Sequence, residues 1–155
     1  MLRPYNANDK SACLEAFTSN VPVYFTKEEI DQFEAFLDKF ESRENGVLEN
    51  GTHYYVLLDH ERVIGCGGFG HQENREVIFM AWGLIHHDFH KKGHGEKLLL
   101  FRIDEIRRIH PHARIGLDTT QYSYPFFEKF GFSTTKVTND YYEPGMHRYD
   151  MLWKE

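Results

Sequence analysis

An apolar run, Val77–Ile85, leads through a polar loop to Gly93-His94-Gly95, and from there into a segment with Leu98, Leu99, Arg102, Ile103 and Ile106 at helical spacing. The run is too short to cross a bilayer and has the length of a buried strand. The helix after it runs from about Gly93 to Ile109, where Pro111 stops it. A further strand, Arg114–Thr119, follows directly. Strand, long helix and strand in this order read as a crossover between two parallel strands. A chain built around such a unit is neither all-helical nor all-β.

The flanking segments supply the rest of the sheet. A short strand at Leu2–Tyr5 precedes a helix over Asp9–Thr18, capped by Asn8 or Asn6, with Cys13, Leu14 and Phe17 on one face. Thr26-Lys27-Glu28-Glu29 reads as a capping box, and Ile30, Phe33, Phe36, Leu37 and Phe40 form the core stripe of the helix it opens. Turns at Glu44-Asn45-Gly46 and Asn50-Gly51 close the helical half. The strands His53–Leu58 and Arg62–Gly70 form a hairpin about Asp59-His60-Glu61, and Glu76–Ile85 is the third strand-like run. After the crossover come a short helix at Tyr124–Lys129 and strands near Ser133–Thr138 and Arg148–Trp153. The order β-α-α-β-β-β-α-β-α-β-β predicts an α/β (α+β) fold with a mixed sheet. The length of 155 residues suits one domain, 1–155, with a substantial core.

An apolar fraction of 41% with 15% aromatic residues argues against disorder. The net charge of −6 disfavours nucleic acid and anionic membranes as partners, since both reward a basic surface. Cys13 and Cys66 form no ligand or redox motif, and Met1–Asn6 lacks the apolar core of a signal peptide. A cytoplasmic, reducing location is the expectation.

Chemistry concentrates in Ile85-His86-His87-Asp88-Phe89-His90-Lys91-Lys92-Gly93-His94-Gly95-Glu96-Lys97. A helix start leaves about four main-chain N–H groups without partners and carries partial positive charge. Glycines let an anion approach those groups, and Lys91, Lys92 and Lys97 add charge beside them. The plain alternative is a tight turn with solvated lysines. Walker spacing and a dinucleotide fingerprint are both absent. Five histidine and aspartate side chains, His86, His87, Asp88, His90 and His94, crowd the loop, but adjacent residues on an extended segment point opposite ways and no His-Glu-x-x-His helix is present. No metal site is expected.

The run His90-Lys91-Lys92-Gly93-His94-Gly95 resembles the Gln/Arg-x-x-Gly-x-Gly/Ala pyrophosphate loop of the GNAT (Gcn5-related N-acetyltransferase) superfamily, and Phe126-Phe127-Glu128-Lys129-Phe130-Gly131-Phe132 resembles that superfamily's second conserved segment. The resemblance covers about residues 78–132. It implies a GNAT-like mixed sheet of six to seven strands flanked by about four helices, with splayed parallel strands forming a coenzyme A cleft. It implies an acyl-CoA-dependent N-acetyltransferase that moves an acetyl group from acetyl-CoA to a primary amine of a small molecule or peptide. By position, the amides of Lys91, Lys92, Gly93, His94, Gly95 and Glu96 would hold the pyrophosphate. Leu84 and Ile85 would offer main-chain hydrogen bonds to the pantetheine arm, with an N–H near Ile85 facing the oxyanion.

Several positions depart from the family pattern. His90 stands for the usual Gln or Arg and Thr120 for an Asn, while Phe127 replaces the tyrosine often assigned to protonate the thiolate. Tyr124, on a similar helix face, is the substitute acid, although a half-buried aromatic at a helix start is the favoured plain reading. Phe79 stands where some members place a Glu base, and Glu73 and Glu76 lie further back. The acceptor pocket is expected from the two N-terminal helices, the strand with Tyr54 and the segment Tyr141–His147, with His53, Tyr24, Phe25 and Tyr142 as further candidates. No general base emerges. The residue changes also admit a non-catalytic acyl-CoA sensor. His110 and His112 fit a helix C-terminus, and the oligomeric state stays open, a homodimer included.

Overall fold

The computed structural model describes residues 1–71 and 76–154, so Glu73 lies outside the described residues. One seven-stranded sheet organises the chain, in the order β1-β2-β3-β4-β5-β7-β6. Its strands are β1 (Leu2–Pro4), β2 (His53–Asp59), β3 (Arg62–His71), β4 (Val77–Ile85), β5 (Arg114–Thr119), β6 (Phe132–Glu143) and β7 (Met146–Trp153). The helices are α1 (Lys10–Thr18), α2 (Glu28–Asp38), α3 (His94–Ile109) and α4 (Tyr124–Glu128). Among the described residues every strand pair is antiparallel except β4–β5, the expected crossover pair.

Local chemistry explains the helix starts. Asn6, not Asn8, is the first cap: its side chain accepts from the Asn8 N–H at 2.9 Å, and Asp9 returns a bond to the Asn6 N–H at 3.0 Å. Asp9 is also gripped by both terminal guanidinium nitrogens of Arg3, Nη1 and Nη2, at 2.8 Å each, which ties β1 to this turn. The Thr26 box is reciprocal, with the Thr26 N–H donating to Glu29 Oε1 at 3.0 Å and the Glu29 N–H to Thr26 Oγ1 at 3.3 Å.

The two sheet faces carry separate cores. Phe17, Phe33, Leu37, Phe40, Tyr54 and Leu84 pack under α1 and α2, while Leu99, Ile103, Ile106, Ile115, Leu117 and Phe132 pack under α3 and α4. The stripe Phe33, Leu37 and Phe40 is buried core, as its spacing predicts. β6 runs five residues past the expected end at Thr138, to Glu143. It is an edge strand whose outer half is largely exposed, so main-chain pairing to β7 builds it without an apolar alternation to betray it. Among the described residues no helix is long and apolar enough to cross a membrane.

Candidate active site

Among the described residues β4 and β5 pair through Val77–Arg114, Ile78–Ile115 and Phe79–Gly116 alone. Beyond these pairs the strands diverge and leave a cleft between Ala81–Ile85 and Leu117–Thr119. A β-bulge lies at the point of divergence: Trp82 and Gly83 of β4 together oppose Gly67 of β3. Trp82 takes a left-handed φ of 40°, an unusual conformation for a bulky residue.

The alternation of the β3–β4 ladder decides which main-chain groups reach the cleft. The His86 N–H donates to the Ile64 carbonyl at 2.7 Å. Counting back, Ile85 turns its N–H and C=O away from β3, while Leu84 turns its own toward Cys66. The hydrogen bonds expected of Leu84 therefore face β3, and Ile85 alone of the two presents its main chain to the cleft. The Ile85 carbonyl is already doubly engaged, by Asn20 Nδ2 at 2.9 Å and His90 Nε2 at 2.8 Å. The group it leaves for a ligand is the Ile85 N–H. His90 thus turns its ring back onto β4 instead of out toward an anion, with Nε2 protonated as donor. Asn20 is 4% exposed, and nothing in the sequence around the end of α1 singles it out.

After Ile85 the chain makes a tight turn over His87–Phe89 and enters α3 through Lys91 at φ 61° and Gly93 at φ 83°. The His90 N–H is bonded to His87, and the first helical bond is Lys97 N–H to the Gly93 carbonyl. Among the described residues, the amides of Lys91, Lys92, Gly93, His94, Gly95 and Glu96 make no hydrogen bond. Lys91, Lys92 and Lys97 are exposed around them, and a Cβ placed on Gly93 would meet nothing within 4 Å. The arrangement is a row of main-chain donors at a helix start, open to solvent and flanked by cations.

The opposite wall comes from α4. A Cβ on Gly95 would lie 3.5 Å from Phe126, so α4 abuts the start of α3. Phe127 packs on Phe126 and Phe132, at ring separations of 5.1 and 5.9 Å. Tyr124 stacks on Tyr149 at 4.2 Å, beside the end of β5. Thr120 is buried, and its hydroxyl accepts from the Tyr122 N–H at 3.2 Å while its carbonyl accepts from Ser123 and Tyr124. It shapes the entry to α4.

Several acceptor-side candidates lie elsewhere. His53 stacks on Phe69 at 4.9 Å on the α3 face, where burial lowers its pKa. Tyr54 is fully buried and donates to the Trp82 carbonyl at 2.7 Å, and Phe25 stacks on Phe17 in the core. Tyr24 does stand at the mouth, edge-on to His90 at 5.4 Å. Tyr142 donates to Asp118 at 2.8 Å, and Tyr141 is exposed beneath Arg148. Glu29, at the start of α2, faces Asp118 and Glu143 electrostatically. Burial pushes its carboxyl above the usual range; the Thr26 hydrogen bonds pull it down and the Asp118 and Glu143 charges push it up. No side-chain pattern announced Glu29 except its capping role. Among the described residues, no three His, Cys, Asp or Glu side chains converge as metal ligands.

The raised Glu29 pKa has a checkable sign. A carboxyl whose folded pKa exceeds its unfolded value contributes stability below the unfolded value, and loses it as pH rises through the folded one. At neutral pH the ionised Glu29 is therefore a net burden. Glu29→Gln keeps an oxygen for the Thr26 N–H, and its melting temperature is expected at or above the parent's at about pH 7, with the advantage gone at about pH 4. Thermal melts at both pH values check this, and a Gln variant weakest at neutral pH would contradict it.

The sequence matches the acetyltransferase (GNAT) domain family over residues 22–155. No curated protein sequence is significantly similar to it. Among solved structures, a Desulfovibrio desulfuricans protein assigned to the GNAT family superposes with a TM-score of 0.81 at 18% identity, over 99% of this chain and 98% of that one. The ribosomal-protein-S18-alanine N-acetyltransferase of Escherichia coli gives 0.76 at 13% identity, over 99% and 92%. An aminoglycoside 6'-N-acetyltransferase in complex with coenzyme A gives 0.74 at 12% identity, over 98% and 95%. With its sheet opened between the parallel strands β4 and β5 and its bare amides at the start of α3, this chain belongs to the GNAT acetyltransferase family.

Proposed function

We propose that the protein transfers an acetyl group from acetyl-CoA to a primary amine of a small molecule or peptide, as one cytoplasmic acyltransferase domain over residues 1–155. One observation carries this reading: the row of unbonded amides from Lys91 to Glu96 opens onto a cleft whose facing edge offers the Ile85 N–H. The amides and flanking lysines receive the pyrophosphate, and the Ile85 N–H binds either the pantetheine arm or the developing oxyanion. Asn20 and His90 hold the Ile85 peptide so that this N–H is fixed in direction. Thr120 sets the start of α4, and Phe127 lines the opposite wall. Holding both reactants in the cleft supplies much of the rate. The amine nitrogen attacks the thioester carbonyl, and the thiolate, with an ordinary thiol pKa near 8.5, leaves without a dedicated acid. Tyr124 is the nearest hydroxyl on α4 able to assist. Water accepts the amine proton, or Glu29 does.

The test is thiol release from acetyl-CoA in the presence of polyamines, aminoglycosides, amino acids and peptide N-termini. Turnover with one class identifies the acceptor. Tight acetyl-CoA binding without turnover on any of them would instead support the acyl-CoA sensor, the reading favoured by the missing hydroxyl at Phe127. A direct probe of that position is Phe127→Tyr. The ring already sits at an aromatic wall, so the variant is expected to melt within about 2 °C of the parent and to turn over at least as fast. A large loss of activity in a folded variant would remove Phe127 from the cleft.

A further inference from the structure

We propose that Tyr54 and Arg102 are positioning residues that hold the β4 bulge at Trp82–Gly83 from opposite faces of the sheet, and so keep the acyl-CoA cleft open. A bulge takes main-chain groups out of the ladder and bends the strand. Here the bend comes just past the last β4–β5 pair, Phe79–Gly116, so it directs Ala81–Ile85 away from β5. A bulky residue at positive φ persists only where its surroundings over-determine it.

Those surroundings are specific. On the α1–α2 face, the Trp82 ring lies 5.5 Å from Phe33 and 5.8 Å from Phe17. Tyr54, fully buried below it, donates its hydroxyl to the Trp82 carbonyl at 2.7 Å. That bond gives the carbonyl a side-chain partner where the bulge interrupts the ladder. On the α3 face, Arg102 is 3% exposed, and its Nη1 donates to the Gly68 carbonyl at 3.3 Å. A buried guanidinium is costly, and no carboxylate among the described residues pairs with it; its Nε has no hydrogen-bond partner. The backbone makes room for it: a Cβ on Gly83 would stand 2.6 Å from Nη2, and one on Gly67 3.3 Å from Cζ. Two glycines, one on each strand of the bulge, thus accept a flat cation that fills the space and bonds the carbonyl of the next β3 residue. Arg102 sits at an apolar position of the α3 period, where packing alone would select leucine.

Only the second readout of the test rests on the acyltransferase reading. Tyr54→Phe removes a single oxygen and keeps the ring. Arg102→Met keeps the stem and Arg102→Lys restores a cationic donor. Ile106→Val, buried on α3 away from the bulge, is the control for a general loss of stability. The first readout is amide hydrogen exchange by NMR. The Leu84 N–H, buried and turned toward Cys66 immediately past the bulge, is expected to exchange about tenfold faster in Tyr54→Phe and Arg102→Met than in the control. The second is calorimetry with coenzyme A, where both variants are expected to bind about fivefold more weakly, the control within about twofold, and Arg102→Lys closer to the parent. Leu84 exchange no faster than in Ile106→Val would overturn the proposal, and Tyr54→Phe decides it alone if Arg102→Met does not fold. A parent protein that binds no coenzyme A would overturn the acyltransferase reading, with exchange at Leu84 still deciding the role of these two side chains.

Discussion

A Gly95→Glu protein is expected to lose coenzyme A binding by about a hundredfold or more, equal to about 2.8 kcal/mol, while keeping its fold. The first half of the expectation follows from charge. A carboxylate on the second residue of α3 stands among the amides that would hold the pyrophosphate, and an anion about 4 Å from a phosphate costs on the order of 4 kcal/mol near a protein surface. The second half follows from space and from the helix. A Cβ on Gly95 meets Phe126 at an ordinary 3.5 Å, and an acidic residue in a first helical turn is favourable, as exposed Glu96 already illustrates. Gly93→Glu places the same charge nearby but adds strain of about 1–2 kcal/mol, because Gly93 is left-handed at φ 83°. Gly95→Glu is therefore the cleaner variant. Calorimetry with coenzyme A, beside a thermal melt, checks both halves. Affinity within about twofold of the parent in a folded Gly95→Glu protein would remove the anion seat and, with it, the acyl-transfer reading.

The largest stability effect is expected at Phe17. This side chain has no exposed surface and stacks on Phe25 at 4.2 Å and on Phe33 at 4.7 Å, with Trp82 edge-on at 5.8 Å. Truncation to alanine removes the ring that joins α1, the segment before α2 and the β4 bulge. Such a loss in a core costs about 3–5 kcal/mol, which in a chain of this size lowers the melting temperature by roughly 10–15 °C. Ile30→Ala, at the half-buried rim of the same cluster, is the comparison and should cost much less. A melting temperature for Phe17→Ala within about 3 °C of the parent would show that the aromatic cluster relaxes around the gap and does not brace the bulge.

The fold was legible where side-chain chemistry repeats. Thr26 and Glu29 announced the start of α2, the Phe33–Leu37–Phe40 spacing announced its buried face, and the strand, glycine and helix order announced the crossover. The outer half of β6 was hidden because its order comes from main-chain pairing at an edge. The bulge was hidden for a related reason: it is a register offset between two strands, and neither Trp82 nor Gly67 carries a local signal for it. The row of unbonded amides at the start of α3 was legible because glycines and lysines mark it. The grip on the Ile85 carbonyl was not, since Asn20 comes from a helix end 65 positions away and His90 reads in the sequence as the replacement of a Gln or Arg at the loop start. His53 and Tyr54 are adjacent on β2 and so point to opposite faces, which sends one to the α3 side and the other into the aromatic core.

The narrow junction between β4 and β5 has a mechanical consequence. Among the described residues, three residue pairs join a four-stranded block, β1 to β4, to a three-stranded block, β5 to β7, within the sheet. Each block is antiparallel and internally well stitched, so deformation concentrates at the seam between them. A molecule lying in the gap there would act as a missing rung, and its arrival would stiffen the two halves into a single body.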